Sequence, residues 1–153
     1  RHFESVLARE LDRVARAGEP ALLLMLDIDH FKRVNDTHGH AVGDRVLGAF
    51  ARLLQSGSRS ADTVARIGGE EFAIIMPEVD AARAAGYADR LRLAARRLQV
   101  APGISVTASF GVAEQGGTRG DAATLLREAD AALYAAKARG RNCVARCERL
   151  AAA

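Results

Sequence analysis

One short segment constrains the fold of this chain more than any other: RIGGEEF, residues 66–72. Two segments with strand-like composition, residues 63–67 and 71–76, flank the paired glycines. A Gly-Gly pair in this position predicts a two-residue β-hairpin turn with positive φ. Two acids follow the turn at once, where a strand made only for folding usually carries β-branched or aromatic residues. The segment therefore predicts an antiparallel hairpin that presents Glu70 and Glu71 at the edge of a sheet.

An apolar segment upstream ends in acids in the same way. Residues 22–26 are four leucines and a methionine, and Asp27-Ile28-Asp29 follow them. An uninterrupted apolar run of this length favours a strand buried on both faces. Two strands that each end in carboxylates form an oxygen-rich pocket of the kind that holds Mg²⁺ together with substrate phosphates. For each acid taken alone, a role as a solvated strand end stays open.

Composition narrows the class of protein. With 153 residues, 49% of them hydrophobic, the chain has material for one domain with a full core. The net charge is only +3, aromatic residues make up 5% and there is no Trp, so the composition argues against binding of a nucleic acid polymer. Cys143 and Cys147 indicate reduced thiols in a cytoplasmic protein. No apolar run approaches the ~20 residues that span a bilayer, so we expect no membrane contact by this domain, although a membrane tether elsewhere in a longer protein stays open.

Periodicity predicts the order α-β-α-α-β-β-α-β-α-β. Helical spacing marks five helices, and the later strands are predicted at Ser105–Ala113 and, as an edge strand, Asn142–Ala145. Gly116, Gly117 and Gly120 indicate a loop. The predicted fold class is α+β: a mixed central β-sheet covered by helices, with a ferredoxin-like architecture. The start at Arg1, without a leader, suggests a module taken from a longer chain.

Three motifs in this order resemble those of the GGDEF domain of bacterial diguanylate cyclases. They are the string from Asp27 through Asn35 to Gly43-Asp44, the RIGGEEF segment with Glu in place of the third-position Asp, and the block from Ala129 through Lys137 to Asn142. The match runs from the first strand to the C-terminus. The resemblance implies a single GGDEF domain over residues 1–153, with a core similar to the nucleotidyl cyclase and polymerase palm. It also implies a longer signalling protein with an N-terminal regulatory domain.

The resemblance implies an activity and a metal site. Family members condense two GTP molecules into cyclic di-GMP with release of two pyrophosphates, as an antiparallel homodimer that depends on Mg²⁺, with Mn²⁺ as an alternative. Asp27, the carbonyl of Ile28 and Glu70 match the metal ligands. Glu71 matches the residue that assists deprotonation of the 3′-hydroxyl or holds a second metal. Asp29 is either a supporting residue behind the metal ligands or purely structural.

Four further residues match the family's contacts with GTP. Asn35 and Asp44 match its guanine readers, and an Asp accepts well from guanine N1–H and N2–H₂, although both residue types are also common beside Gly in turns. Lys137 and Arg141 match its phosphate clamp. Their alternative role is to complement the negative end of the preceding helix.

Phe31 and Lys32 begin a turn whose backbone N–H groups are expected to contact phosphate. Among the 22 Lys and Arg residues, Lys32 and Lys137 are the only lysines, and a compact ammonium is a common phosphate partner.

Arg59 and Asp62 form an Arg-x-x-Asp pair just upstream of the hairpin, where the family has its inhibitory product site. Arg90 on the following helix is expected to complete that site. The pair is weak as a motif, because residues 9–12, 33–36 and 127–130 have the same form.

The sequence leaves one alternative function open and argues against another. A catalytically silent GGDEF domain that serves as a receptor for GTP or cyclic di-GMP remains the alternative, although degenerate members usually lose the acids retained here. An RNA-binding ferredoxin-like module predicts aromatic residues on the strands and a basic face, and Phe72 and Phe110 alone do not supply them.

Overall fold

The computed structural model describes residues 2–115 and 122–147. Its element order is the predicted one. In this part of the chain, no helix combines the length and apolarity needed to cross a membrane. The elements are α1 (His2–Ala17), β1 (Ala21–Ile28), α2 (Phe31–His38), α3 (His40–Gly57), β2 (Thr63–Arg66), β3 (Glu71–Pro77), α4 (Ala81–Arg96), β4 (Ala108–Gln115), α5 (Ala122–Ala138) and β5 (Val144–Arg146).

The five described strands form one sheet in the order β2-β3-β1-β4-β5. Strand β1 lies in the centre and pairs antiparallel with both β3 and β4, while β5 runs parallel to β4. The first four strands with their crossover helices make the split β-α-β arrangement of ferredoxin-like folds. The predicted fold class, α+β with a mixed central sheet, is therefore confirmed.

Helices cover both faces of the sheet, and β1 contributes to both cores. Its even-numbered residues, such as Leu24 and Leu26, pack with α2, α3 and α4, whereas odd-numbered Leu23 and Met25 pack with α1 and α5. This two-sided burial explains why the segment is a continuous apolar run. Since the odd-numbered face continues to Asp27, the first acid of β1 lies on the side of α5.

The turn between β2 and β3 differs from the prediction. Ile67 N–H donates to the carbonyl oxygen of Glu71 at 2.9 Å, so three residues, 68–70, connect the strands instead of two. Neither glycine of the turn adopts positive φ. The Arg66 guanidinium donates to the carbonyl oxygens of Gly68 and Gly69, at 3.1 and 2.8 Å, and so holds the wider turn. Glu70 therefore lies in the turn, and Glu71 is the first residue of β3.

Strand β4 begins at Ala108, three residues later than predicted. Its partner β1 ends at Ile28. Beyond these strand ends, Asp29 N–H donates to the Thr107 carbonyl oxygen at 2.9 Å. Strand β5 is displaced by two residues at its start, to Val144–Arg146. The predicted glycine-rich loop at 116–120 lies outside the described residues.

Helix α5 lies unusually close to β4. A Cβ built on Gly111 would overlap the backbone of Ala129 and Leu133 in α5, where nothing flexible can give way. Leu133 lies one helical turn before Lys137, so this close approach also sets the height of Lys137 above the sheet.

We expect Gly111→Ala to destabilise the protein by about 1–3 kcal/mol, because the added methyl group pushes α5 away from the sheet. Thermal denaturation should show a melting temperature lower by roughly 3–9 °C. Gly86→Ala is the matched control: its Cβ meets only the end of the Arg90 side chain at 3.9 Å. It should leave stability unchanged or raise it by about 0.5–1 kcal/mol through helix propensity. Equal melting curves for Gly111→Ala and wild type would contradict the packing argument.

Candidate active site

Strand pairing brings together the acids that the sequence places at two strand ends. Asp27 of β1 lies directly opposite Glu71 of β3 in the antiparallel register. Ile28 N–H donates to the carbonyl oxygen of Glu70 at 3.1 Å, so the turn that carries Glu70 closes against the end of β1. In an antiparallel strand the N–H and C=O of one residue face the same neighbour, which aims the Ile28 carbonyl toward the same turn. Three carboxylates and this carbonyl therefore converge at one end of the sheet.

Lys137 reaches this acid cluster from α5. Its Nζ donates to Asp27 Oδ2 at 2.6 Å, although the two residues are 110 positions apart in sequence. Asp27 is only 7% exposed, so the ammonium supplies the charge compensation that a buried carboxylate requires. The residue predicted to clamp phosphate thus lies beside the residue predicted to hold metal.

The cluster concentrates more negative charge than Lys137 offsets. Burial raises the pKa of Glu70, and the neighbouring Asp27 carboxylate raises it further. Burial also raises the pKa of Glu71, with added contributions from Asp130, Asp27 and Glu70. Ionisation of both groups is therefore less favourable in the folded chain than in the unfolded chain. Their contribution to stability is fully present below the unfolded pKa and is lost as the pH rises through the raised folded values.

The donor set fits a hard divalent cation. Carboxylates of Asp27 and Glu70 and the carbonyl of Ile28 are oxygen ligands, and a cation among them would relieve the repulsion that raises the pKa of Glu70. Among the described residues, no three His, Cys, Asp or Glu side chains form a metal-binding group by themselves. Such a cation would therefore need main-chain and substrate oxygens, as Mg²⁺ bound with a polyphosphate does.

Asp29 is held by three donors. Its carboxylate accepts from Thr107 Oγ1 at 2.6 Å, Ser109 Oγ at 2.7 Å and Asn142 N–H at 3.0 Å. These bonds join the end of β1 to β4 and to the turn after α5. Of the two alternatives left open by the sequence, this arrangement supports the structural one. No local pattern predicted the two hydroxyl partners.

The predicted guanine readers lie at the junction of α2 and α3. The Asn35 side chain packs directly on Gly43, where a Cβ would overlap its amide oxygen. The next residue, Asp44, is exposed and lines a cavity of about 380 Å³ between α3 and the β2–β3 hairpin, with Arg66 and Phe72 on the opposite wall. Asn35 and Asp44 are thus neighbours in space, but Asn35 does not line this cavity.

Phe31 and Lys32 have different environments at the start of α2. The Phe31 ring is buried in the core, so a phosphate contact there is limited to its backbone N–H. The Lys32 side chain is 89% exposed, and its Nζ lies 3.1 Å from Asp36 one turn later.

The helix end that carries the predicted phosphate clamp has the expected form. Lys137 lies in the last turn of α5, and Gly140, with φ of 108°, follows the helix. Arg141 comes next, is exposed and also has positive φ, at 67°.

The predicted inhibitory-site residues line a separate cavity of about 540 Å³ beside α4. Arg59 Nη2 and Asp62 Oδ1 are 2.7 Å apart, and the Asp62 side chain is 1% exposed. The same Arg59 nitrogen donates to the Pro77 carbonyl oxygen at 2.8 Å. The Arg90 guanidinium lies over the Tyr87 ring at 5.8 Å. The structure therefore brings all three predicted residues to one cavity.

That cavity and the acid cluster lie toward opposite ends of β3. Met76 lines the cavity, and Glu71 opens the strand at the acid cluster. Five residues of extended chain separate them by roughly 17 Å.

Sequence reasoning missed two residues near the acids. Asp130 contributes to the raised pKa of Glu71, and its position seven residues before Lys137, on the same helical face, is a signal that helical periodicity provides. Arg66 holds the turn carbonyls, as described above. Its signal was its place inside the RIGGEEF segment.

The chain is similar to known proteins along nearly its whole length. The family model described as "Diguanylate cyclase, GGDEF domain" matches residues 1–143. Response regulator PleD of Caulobacter vibrioides is 41% identical over 149 residues, which cover 94% of this chain and 33% of that protein. Probable diguanylate cyclase DgcC of Escherichia coli is 42% identical over 144 residues, which cover 93% of this chain and 39% of that protein. The chain thus spans only about a third of the length of these relatives.

Solved structures share the fold closely. The GGDEF domain of DgcB from Caulobacter crescentus, in complex with c-di-GMP, superposes with a TM-score of 0.89 at 35% identity, covering 95% of this chain and 88% of that one. The active GGEEF domain of a diguanylate cyclase from Vibrio cholerae gives a TM-score of 0.89 at 30% identity, covering 94% and 92%. Its GGEEF letters are those of residues 68–72 here.

We expect Glu70→Gln to abolish the effect of Mg²⁺ on stability without harming the fold. In metal-free protein at neutral pH, its melting temperature should equal or exceed that of wild type, because the neutral amide avoids the burial cost and the repulsion from Asp27 that raise the pKa of Glu70. In the presence of inorganic triphosphate, which supplies the further oxygen ligands, Mg²⁺ should raise the melting temperature of wild type, since a ligand bound only to the folded state stabilises it. A Mg²⁺ titration with and without triphosphate, followed by thermal denaturation, measures both effects.

Glu4→Gln, an exposed substitution on α1, is the matched control and should respond to Mg²⁺ as wild type does. An undiminished Mg²⁺ response in Glu70→Gln would remove this residue from the ligand set.

Proposed function

The chain belongs to the GGDEF domain family, and on that premise we propose that it is a diguanylate cyclase. It condenses two GTP molecules into cyclic di-GMP and releases two pyrophosphates. The observation that carries the proposal is the convergence of Asp27, Glu70 and Glu71 with Lys137 at one end of the sheet. These acids are the groups that a metal-dependent transfer needs, whereas a receptor for cyclic di-GMP alone would have no need to keep three mutually repelling acids together.

Asp27, Glu70 and the Ile28 carbonyl are the proposed ligands of Mg²⁺, or of Mn²⁺ in its place. When bound, this ion supplies positive charge for the attacking hydroxyl and for the departing pyrophosphate. In each transfer the 3′-oxygen of one GTP bonds to the α-phosphorus of the other, and the bond from that phosphorus to the bridging oxygen breaks. Glu71 accepts the hydroxyl proton or helps to hold a second ion. Its raised pKa brings it closer to the range of an effective base.

Phosphate binding is proposed for the two ends of helices that face the acids. Lys137 and Arg141 contact the outer phosphates, and the Lys137 ammonium already lies within 2.6 Å of the metal-ligand candidate Asp27. Phe31 contributes its backbone N–H, and Lys32 contributes an exposed cation that must exchange Asp36 for phosphate.

Guanine recognition is proposed for Asn35 and Asp44. A carboxylate accepts from both guanine N1–H and N2–H₂, whereas adenine offers no such donor pair and leaves the carboxylate unpaired. The packing of Asn35 on Gly43 supports this role, because it fixes the amide beside Asp44.

Catalysis requires two copies of the domain. One domain holds one GTP, and its 3′-hydroxyl must reach a phosphate held by another domain, so two sites face each other in an antiparallel homodimer. The proposed setting is the cytoplasm, where GTP is available. Dimerisation is proposed to be controlled by a regulatory domain N-terminal to this one in a longer protein.

The first test is incubation with GTP and Mg²⁺ followed by chromatography of the products. Cyclic di-GMP supports the enzyme. Binding of GTP or cyclic di-GMP without turnover, at high protein concentration, supports the alternative of a catalytically silent receptor.

We expect specific activity to rise with protein concentration, because the active species is a dimer. Initial rates of cyclic di-GMP formation per mole of protein, measured across about a hundredfold dilution, check this expectation. Activity per molecule that stays constant over that range would contradict a dimeric active species.

Cyclic di-GMP is proposed to inhibit by binding the cavity of Arg59, Asp62 and Arg90. Arginine pairs well with guanine O6 and N7 and with phosphate. The Asp62 carboxylate is buried and accepts from Arg59, so its proposed part in the site is to hold that guanidinium. The contacts of Arg59 with Asp62 and the Pro77 carbonyl support this role, because they fix the position of the guanidinium at the cavity wall.

We expect Arg59→Ala to weaken cyclic di-GMP binding about tenfold or more while GTP still binds, because a charged contact is lost. Calorimetry with both nucleotides measures this. Asp44→Ala is the control and should reduce GTP binding instead. Loss of cyclic di-GMP binding in Asp44→Ala alone would show that product binds only at the active site.

A further inference from the structure

The turn after α5 has an uncommon backbone. Gly140, Arg141 and Asn142 have φ values of 108°, 67° and 47°, so three consecutive residues have left-handed conformations. Residues other than glycine rarely adopt this conformation, and they keep it only where surrounding contacts fix it. Two non-glycine residues in succession therefore need specific partners.

Arg141 N–H donates to the Ala136 carbonyl oxygen of α5 at 3.1 Å, whereas the partners of Asn142 come from two distant parts of the chain. Asn142 N–H donates to Asp29 Oδ2 at 3.0 Å, and Asp29 is itself fixed by hydroxyl groups of β4. Arg92 Nη1 of α4 donates to Asn142 Oδ1 at 3.2 Å. The Arg92 guanidinium is held in turn by Asp89, with Nε to Oδ1 at 2.8 Å. The turn is thus tied through its backbone to β1 and through a side chain to α4.

The turn carries Arg141, whose direction depends on the φ values of the turn. We propose that Arg92 is a positioning residue for phosphate binding: through Asn142 it holds Arg141 in the orientation that places its guanidinium beside Lys137. This inference rests on the proposed function, because it assumes that Arg141 contacts the phosphates of GTP. Arg92 acts only through the turn and touches no substrate atom.

The role proposed for Arg92 is separate from product binding, because Arg92 does not line the cavity proposed for the product, although Arg90 and Leu91 of the same helix do. The Arg92 side chain is 18% exposed, so most of it is covered by neighbouring residues. An effect of Arg92→Ala on binding therefore has to be separated from an effect on the fold, and the melting temperature of the variant together with its affinity for guanosine makes that separation.

Calorimetry with two ligands tests the proposal. The first is a GTP analogue with a methylene group between the α- and β-phosphorus atoms, which cannot be cleaved there, in the presence of Mg²⁺. The second is guanosine, which has the base but no phosphate. We expect Arg92→Ala to lower the affinity for the analogue about three- to tenfold, as for the loss of one hydrogen-bonded contact. The affinity for guanosine should stay unchanged. Arg96→Ala, one turn later on α4 and exposed, is the matched control and should change neither affinity.

Two further variants test whether the effect passes through the turn. Asn142→Gly keeps the backbone N–H that donates to Asp29, and glycine adopts positive φ readily. The substitution removes only the side-chain amide to which Arg92 donates. It should match Arg92→Ala, and the double variant should be no weaker than either. In an Arg141→Ala background, Arg92→Ala should have no additional effect on the analogue.

Additive losses in these double variants, or equal losses for analogue and guanosine, would overturn the positioning role. An unchanged analogue affinity in Arg92→Ala and Asn142→Gly would overturn it as well. Failure of the wild-type protein to bind the analogue at all would overturn the proposed function, and this inference with it.

Discussion

The position of β1 determines the rest of the structure. It pairs along both edges, with β3 and β4, and it is buried on both faces by helices. Strands β3 and β4 also pair along both edges, but β1 alone lies at the centre of the five described strands. Because the strand ends in Asp27 and Ile28 at the middle of the sheet, each neighbouring element delivers its own residue to the same place: Glu71 from β3, the Glu70 turn beside it, and Lys137 from α5.

Electrostatics at this place reflect a compromise between folding and chemistry. Burial and crowding raise the pKa of Glu70 and Glu71, which lowers the stability of the metal-free chain at neutral pH. The contact between Lys137 and Asp27 offsets part of this repulsion, and it depends in turn on the close approach of α5 to β4 at Gly111. A residue without a side chain thus helps to place the charge on which the site depends.

Helix α4 is positioned to influence both proposed sites. One face lines the cavity of Arg59 and Arg90, and Arg92 reaches the turn after α5. The two cavities and the acid cluster draw on a small set of elements, so a change in one helix has consequences for more than one site. Asp29 contacts the same turn from the sheet, and its three hydrogen bonds join β1 to the start of β4 and to the backbone of Asn142.

The sequence by itself determined the element order, the fold class and the presence of acids at two strand ends, because periodicity and composition are local properties of the chain. Pairing of β1 with β3 then brought these acids together. The sequence-based prediction of a two-residue hairpin turn was wrong, since a Gly-Gly pair is compatible with both a two-residue and a three-residue connection. Only the tertiary structure decided that Lys137 bonds Asp27, that Asp29 holds Asn142, and that Arg92 reaches the same turn. These contacts join residues 110, 113 and 50 positions apart, and no local pattern encodes a separation of that length.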